Sequence, residues 1–364
     1  MPGLVISGYY GFGNTGDEAI LSALVAELRR RLGPVPITVL SAHPSATAQH
    51  YQVAAAPRFS PLALFRALRR AQALISGGGG LFQDATSALS PAYYAGVIAL
   101  ARALGRPAYA LGQGVGPLRR WSARALCRWA LGACQYVGVR DQESADLLAG
   151  LGVKAELDAD LTYLLPLPEP DQVAAAWELV GGRPEGALVG VSLRPLPTGE
   201  VAPVVAALAQ ALAAPQAAGA VPVLIPFQHQ ADLPLLAALA QALRRPHLLV
   251  ERPLTPQQLW ALVGGLQVLV GMRLHALIFA ARQGVAPIGI SYDPKVDSYL
   301  ARLGLAPAAT AAAPQAEALA HALEWALAAG PRLAAHLTRA NRELAAAAGR
   351  SLDAVCEHLA NRPC

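Results

Sequence analysis

Apolar and polar positions trade two rhythms along this chain. Short apolar runs alternate with segments in which apolar side chains recur every third or fourth position, the spacing of one helix face. In the first half the runs predict strands at Leu4–Ser7, Ile37–Ser41, Ala73–Ser76, Ala108–Leu111 and Tyr136–Val139. Helices are expected between them, near Asp17–Arg31, Pro61–Arg70, Pro91–Leu104, Arg120–Leu131 and Asp141–Leu151. Periodicity fails over Leu164–Pro170, whose prolines read as a linker. A second series predicts strands at Leu188–Leu193, Pro222–Ile225, Leu248–Val250, Val268–Val270 and Ala286–Ile290. Its helices fit Pro203–Ala213, Leu233–Leu243, Pro256–Val263, Leu274–Arg282 and Pro294–Leu303, and the Ala- and Leu-rich tail Pro314–Leu359 reads as helical.

Strand–helix alternation implies parallel sheets covered on both faces. The expected fold is α/β, with two doubly wound Rossmann-like domains facing across a cleft in the manner of GT-B glycosyltransferases, plus C-terminal helices. The expected boundaries are 1–165 for the first domain, 166–185 for the linker, 186–313 for the second domain and 314–364 for helices with a route back onto the first. A length of 364 residues suits two cores.

Composition narrows the class. The chain is 54% hydrophobic and 15% charged, yet no apolar run approaches the ~18 residues of a spanning helix. The start, MPGLVISGYY, lacks a basic n-region and is not read as a signal peptide, so a cytoplasmic protein is expected. The net charge of +5 is mild. Arginine clusters at Arg29–Arg31, Arg69-Arg70, Arg119-Arg120 and Arg244-Arg245 lack interleaved aromatics, which argues against nucleic acid. They suit solvated helix faces or a peripheral contact with an anionic membrane. Cys127, Cys134, Cys356 and Cys364 have no metal-ligand spacing, and Cys127 and Cys134 read as small apolar residues.

Candidate chemistry sits after the predicted strands, where open α/β sheets bind ligands. The first loop, GYYGFGNTGDEAIL (residues 8–21), holds Gly8, Gly11, Gly13 and Gly16 with Asn14, Asp17 and Glu18. One or two glycines would serve a βα turn capped by Thr15 or Asp17; four suggest close approach of backbone to a ligand. The second, SGGGGLFQD, places Gly77, Gly78, Gly79 and Gly80 where backbone N–H groups would form an anion nest. The third, GQGVGP, has Gln113 as its only hydrogen-bonding side chain. The fourth, GMRLHALIFAA, brings Arg273 and His275 to a strand end, with Asp293 and Lys295 one strand later. Arg140 and Arg194 close two further strands, and Asp158 and Asp160 mark another polar strand end. Arg, His and Lys converging on one edge suit an anion. For Arg140 an ion pair with Asp141 or Glu143 competes with that role. No metalloprotease, nucleophile-elbow or Walker A motif occurs. Gly11, Gly13 and Gly16 fit the dinucleotide spacing, but polar Asn14-Thr15 and a second strand ending in Ser41 argue against NAD.

Taken in order, SGYYGFGNTGDEAIL, ISGGGGLFQD, GQGVGP, VRDQESADLL, GVSLRP and GMRLHALIFAARQGVAPIGISYDPKVDSYL resemble the polysaccharide pyruvyl transferase family. The nearest resemblance is to its CsaB-type bacterial cell-wall branch, over about residues 3–305. The resemblance implies a GT-B-like fold, phosphoenolpyruvate as donor substrate, no cofactor and no metal. It implies a lipid-linked sugar acceptor, an N-acetylmannosamine residue in that branch, and a 4,6-pyruvate ketal product recognised by S-layer homology domains. It points to Arg140, His275 and Lys295 as functional residues, with Arg273 in the same motif. Gly77–Gly80 and Arg194 are expected on the donor, and Asn14, Asp17, Glu18 and Gln113 on the acceptor. Peripheral membrane association and a homo-oligomer are both compatible with this reading. DADLTY lacks the proline that relatives carry after the second Asp, which leaves Asp160 without an assigned role. A nucleotide-sugar glycosyltransferase on the same fold and a non-catalytic phospho-sugar-binding assembly protein are the rival readings.

Overall fold

The computed structural model describes residues 3–85, 87–196, 199–217 and 219–360, without the side chains of residues 216, 331 and 360; Cys364 lies outside them. The chain divides into two compact units: Met1–Leu165 with Glu343–Cys364, and Pro166–Arg342.

The first unit runs β1 (Gly3–Ser7), α1 (Thr15–Leu32), β2 (Ile37–Ser41), α2 (Pro44–Tyr51), β3 (Ala54–Pro57), α3 (Pro61–Arg70), β4 (Ala71–Phe82), α4 (Ser90–Ala103), β5 (Ala108–Val115), α5 (Trp121–Leu131), β6 (Tyr136–Val139), α6 (Gln142–Gly150) and β7 (Glu156–Leu157). Its strands lie in the order β3-β2-β1-β4-β5-β6-β7, all parallel. Alternation along each strand sorts side chains to two faces. Leu4, Ile6, Ile75 and Leu111 pack with Ile20, Leu21 and Leu24 of α1. Val5, Leu74 and Ala110 turn the other way, toward Leu68 of α3, Ile98 of α4 and Cys127 of α5. Each fully buried Leu or Ile contributes on the order of 1.5–3 kcal/mol, which is why these runs set the sheet.

The second unit runs α7 (Pro170–Glu178), β8 (Ala187–Ser192), α8 (Ala202–Ala213), β9 (Ala220–Leu224), α9 (His229–Ala242), β10 (Leu248–Leu249), α10 (Pro256–Gly264), β11 (Val268–Gly271), α11 (Leu274–Arg282), β12 (Ala286–Ser291), α12 (Pro294–Arg302) and β13 (Ala309–Thr310). The strand order is β10-β9-β8-β11-β12-β13, again parallel. The protein is thus a two-sheet Rossmann-like α/β fold of GT-B-like type with a helical C-terminus. That C-terminus is a single helix, α13 (Ala316–Ala360), assigned to the second unit up to Arg342 and to the first beyond it. Asn341 Nδ2 donates to the Ala281 carbonyl at 2.8 Å, while Leu352 and Val355 enter the core under α1. Among the described residues no helix is long and apolar enough to cross a membrane.

Several elements differ from the sequence expectation. β4 does not stop at Ser76 but runs through Gly77–Gly80 to Phe82. β5 extends past Leu111 to Val115, so Gln113 is a fully buried strand residue and not a loop residue. α1 begins at Thr15, two residues early, because Asn14 and neither Thr15 nor Asp17 caps it. β3 (AAAP) escaped notice because alanines give no amphipathic signal. α7 occupies part of the stretch read as linker, where a capping box at Glu169 starts it.

Candidate active site

Both sheets reverse strand order at one point, between β1 and β4 in the first unit and between β8 and β11 in the second. Such switch points are where loops diverge and ligands find a crevice. Most of the polar strand-end residues lie at or beside these two places.

In the first unit the loop after β1 is tied down on all sides. Asn14 Oδ1 accepts from Gly16 N at 3.1 Å. Glu18 uses both carboxylate oxygens on protein: Gly11 N donates to Oε1 and the Tyr51 hydroxyl to Oε2, each at 2.7 Å. Burial raises the Glu18 pKa, with the Gly11 and Tyr51 hydrogen bonds opposing. Gly11 sits at φ +83°, and a Cβ there would lie 2.4 Å from Ser41 Oγ. Tyr10 donates to the Gly77 carbonyl at 2.7 Å, joining the loop to the glycine run.

That run has a packing reason. A Cβ on Gly77, Gly78 or Gly79 would lie 2.5–2.7 Å from Leu24, Ile20 and Asp17 of α1 respectively. Gly77–Gly79 are buried beneath the helix; Gly80 is exposed with open space around it. The bare backbone at Gly79 lets the Asp17 carboxylate lie against the strand.

Arg140 is buried at the end of β6. Its Nη1 donates to Asp160 Oδ2 at 2.8 Å, and its Nε stands 3.7 Å from Asp141 Oδ2. The other Asp160 oxygen accepts from the Thr162 amide and hydroxyl. Burial by itself would lower the Arg140 pKa; the charges of Asp160, Asp141 and Asp17 reverse this and raise it. Asp160 is thus a nearer partner than Asp141, whose expected ion pair with Arg140 is also present. Gln113 donates to the Ser76 carbonyl at 2.9 Å, and its Oε1, together with Ser7 Oγ and Ser76 Oγ, has no hydrogen-bond partner among the described residues. Asp158 serves the fold: it accepts from Tyr136 and from Ser351 of α13, and burial raises its pKa.

In the second unit Arg273 caps α11 and is committed to the fully buried Asp232. Its Nε donates to Asp232 Oδ2 at 3.1 Å, a second bond runs from Nη2 to Oδ1, and Nη2 also reaches Gln228 Oε1 at 3.1 Å. His275 follows as the second residue of α11, half-buried. Arg194, just past β8, and Lys295, in the first turn of α12, each stand against the ring of Tyr292. The guanidinium carbon is 4.5 Å and the ammonium 5.2 Å from the ring centre, and Arg194 donates to the Tyr292 hydroxyl. Lys295 also donates to Asp293 at 3.2 Å.

The structure thus groups Asp17, Gln113, Arg140 and the glycine run in the first unit, and Arg194, Arg273, His275 and Lys295 in the second. Sequence reasoning missed Asp232, Tyr292 and Arg58. Arg58 is buried beneath the opening loop, donating to the Gly8 carbonyl at 2.8 Å, with four aromatic rings within 4.5–5.6 Å. A lone arginine in an apolar PRFSPL context was its only signal.

Solved structures that share this fold include the S. aureus MnaA–UDP complex, with TM-score 0.67, 10% identity and 99% of each chain covered. The UDP-GlcNAc 2-epimerase from Neisseria meningitidis bound to UDP-GlcNAc aligns with TM-score 0.63 and 9% identity over 97% of this chain and all of its own. The wall teichoic acid polymerase TagF aligns with TM-score 0.60 and 9% identity over 99% of this chain and 88% of its own. Such identities speak for the fold alone. No protein of curated function matches the sequence. The family model for polysaccharide pyruvyl transferase matches residues 14–294, from the cap of α1 to the first residue of α12. That match spans well over half of the chain, and the chain belongs to the polysaccharide pyruvyl transferase family.

Proposed function

We propose that the protein transfers a pyruvyl group from phosphoenolpyruvate to a sugar of a lipid-linked cell-wall precursor, in the manner of the CsaB-type branch, forming a 4,6-ketal and releasing phosphate. The observation that carries this reading is that Arg194 and Lys295 each stand against the Tyr292 ring, with His275 on the neighbouring strand end. The donor brings a phosphate and a carboxylate on three carbons, and two cations at one edge match that charge. Arg273 is a positioning residue, since Asp232 holds its guanidinium.

The reaction adds a proton to the donor methylene and makes the adjacent carbon electrophilic. One sugar hydroxyl attacks that carbon and the C–O bond to phosphate breaks. A second hydroxyl then closes the ring. Two hydroxyl protons leave; one balances the new methyl group and the other goes to phosphate. We assign His275 as the general acid. Asp17, beside Arg140, is the base for the acceptor, and the unpartnered oxygens of Gln113, Ser7 and Ser76 suit sugar hydroxyls. Asn14 and Glu18 shape the loop. Gly77–Gly79 serve packing first, which leaves Gly80 as the exposed member of the donor assignment. The enzyme would work in the cytoplasm, peripherally at the membrane; phosphoenolpyruvate is a substrate, and no cofactor is called for.

The test is phosphate release from phosphoenolpyruvate with and without a synthetic N-acetylmannosaminyl acceptor. Acceptor-dependent release, with a product one pyruvyl group heavier, is expected. Stabilisation by a UDP-sugar with no phosphate release would favour a glycosyltransferase instead.

A further inference from the structure

The first unit has a second surface that this chemistry does not use. α3 packs on α4 and α4 on α5, so their N-terminal ends form a row along the carboxyl edge of the sheet. Exposed N-terminal turns ordinarily carry polar caps and acids, which satisfy free N–H groups and complement the helix dipole. α3 keeps such a cap in Ser60, but all three ends also carry large apolar residues. Phe59 precedes α3 and Leu62 opens it, Leu89 precedes α4, and Trp121 begins α5; they are 70%, 57%, 76% and 82% exposed. None of the three helices has an acid in its first turn.

The charge is as lopsided as the hydropathy. Residues 58–135 hold ten arginines and one acid, Asp84, a balance of +9 in a chain whose whole balance is +5, so the remainder is −4. Arginines in the last turns of these helices complement the dipole and need no other reason. Arg119, Arg120 and Arg124 sit at the N-terminal end of α5, against the dipole, and remain exposed. Among the described residues Asp84 makes no salt bridge to their side chains, although the Arg120 charge acts on it; its carboxylate accepts from the backbone amides of Arg119 and Arg120 at 2.7–3.0 Å. It thereby fixes the turn that presents Arg120 and Trp121.

Exposed Trp, Phe and Leu among unneutralised arginines match the boundary of an anionic bilayer, where rings and alkyl chains enter the headgroup layer and cations meet phosphates. We propose that this edge docks the protein on an anionic phospholipid surface, with Phe59, Leu62, Leu89 and Trp121 in the interface and Arg66, Arg120 and Arg124 on lipid phosphates. The same sheet edge carries the β1 loop and Asp17, so docking brings the acceptor site of the preceding reading to the membrane. The surface argument itself does not depend on that reading, and its test involves no turnover.

The experiment is co-sedimentation of the full chain with phosphatidylglycerol-containing vesicles and with pure phosphatidylcholine vesicles. Binding is expected to the anionic vesicles alone, weakening as salt rises from about 0.05 M to about 0.5 M. Leu89→Ser with Trp121→Ser, or Arg120→Glu with Arg124→Glu, should each reduce binding at least ~10-fold while thermal unfolding is unchanged, since all four side chains are exposed. Arg332→Glu with Arg339→Glu, exposed on α13, changes net charge equally and should leave binding intact. Absence of anionic-vesicle binding, or equal loss in the α13 control, overturns the proposal. So does self-association that Leu89→Ser with Trp121→Ser abolishes, which would make this edge a contact between copies of the chain. Phosphate release toward a soluble acceptor should persist in the edge variants, so a failure of docking and a failure of catalysis read out separately.

Discussion

The two sheets share a topology and treat charge in opposite ways at the same place. At the first edge the cation, Arg140, is buried and ringed by Asp160, Asp141 and Asp17. At the second, Arg194 and Lys295 are half-buried and each lie against the Tyr292 ring, with Asp293 on the lysine. A buried arginine held by carboxylates is a fixed internal charge that sets the position of its neighbours. Half-buried cations on a ring retain donors that an anion can reach. One fold therefore holds a fixed internal charge at one edge and half-buried cations at the other, and the difference lies in a handful of strand-end residues.

The widest gap between the edges should appear in stability. Arg140→Ala leaves Asp160 buried without its partner and should cost about 3–5 kcal/mol. Lys295→Ala removes a partly exposed pair and should cost no more than about 1 kcal/mol. Urea unfolding of the two variants reads this directly. Equal losses would erase the distinction between a structural and a ligand-facing cation.

Turnover sharpens the same contrast from the other side. His275→Ala should lower kcat by about 10²–10⁴-fold with the fold intact, the usual loss for a general acid. Lys295→Ala should act mainly on the KM for phosphoenolpyruvate, by roughly 10-fold, the loss of about 1.4 kcal/mol of charge-assisted binding. If His275→Ala keeps near-normal turnover, the acid lies elsewhere.

The alternation of strands and helices, and the gathering of polar residues after strands, were legible in the sequence because both follow from local periodicity. Other features depended on partners far along the chain. Glycine composition shows where backbone is bare, but not whether bareness serves a loop or a packed strand; Gly77–Gly79 became strand residues because α1 lies on them. Gln113 looked like a loop donor, yet pairing of β5 with β4 carried it into the sheet. Arg273 was found, but its commitment to Asp232, 41 residues upstream, was not, since no local pattern links them. Asp160, left without a role, proved to be a nearer partner of Arg140 than Asp141.

The glycine run offers the next test. Gly78 sits at φ +54° under Ile20, so Gly78→Ala should cost about 1–3 kcal/mol. Gly80 has open space, and Gly80→Ala should stay within about 0.5 kcal/mol. Thermal unfolding with and without phosphoenolpyruvate separates packing from binding. A stable Gly80→Ala variant that loses stabilisation by the donor would restore an anion-binding part for the run.

The smallest expected effect belongs to Glu18, and it is a matter of sign. Burial raises its pKa above the ordinary 4.5, against the pull of the Gly11 amide and the Tyr51 hydroxyl. The folded protein therefore takes up this proton at a higher pH than the unfolded chain does. Where the native state binds more protons, stability rises as pH falls. The contribution is fully present below the unfolded pKa and is lost as pH rises through the folded one. Glu18→Gln removes the titration, so the stability of the wild type relative to the variant should increase from pH 7 toward pH 4. A difference that instead shrinks over that range would mean the Gly11 and Tyr51 hydrogen bonds outweigh burial. Glu18 would then anchor the opening loop chiefly through those two hydrogen bonds.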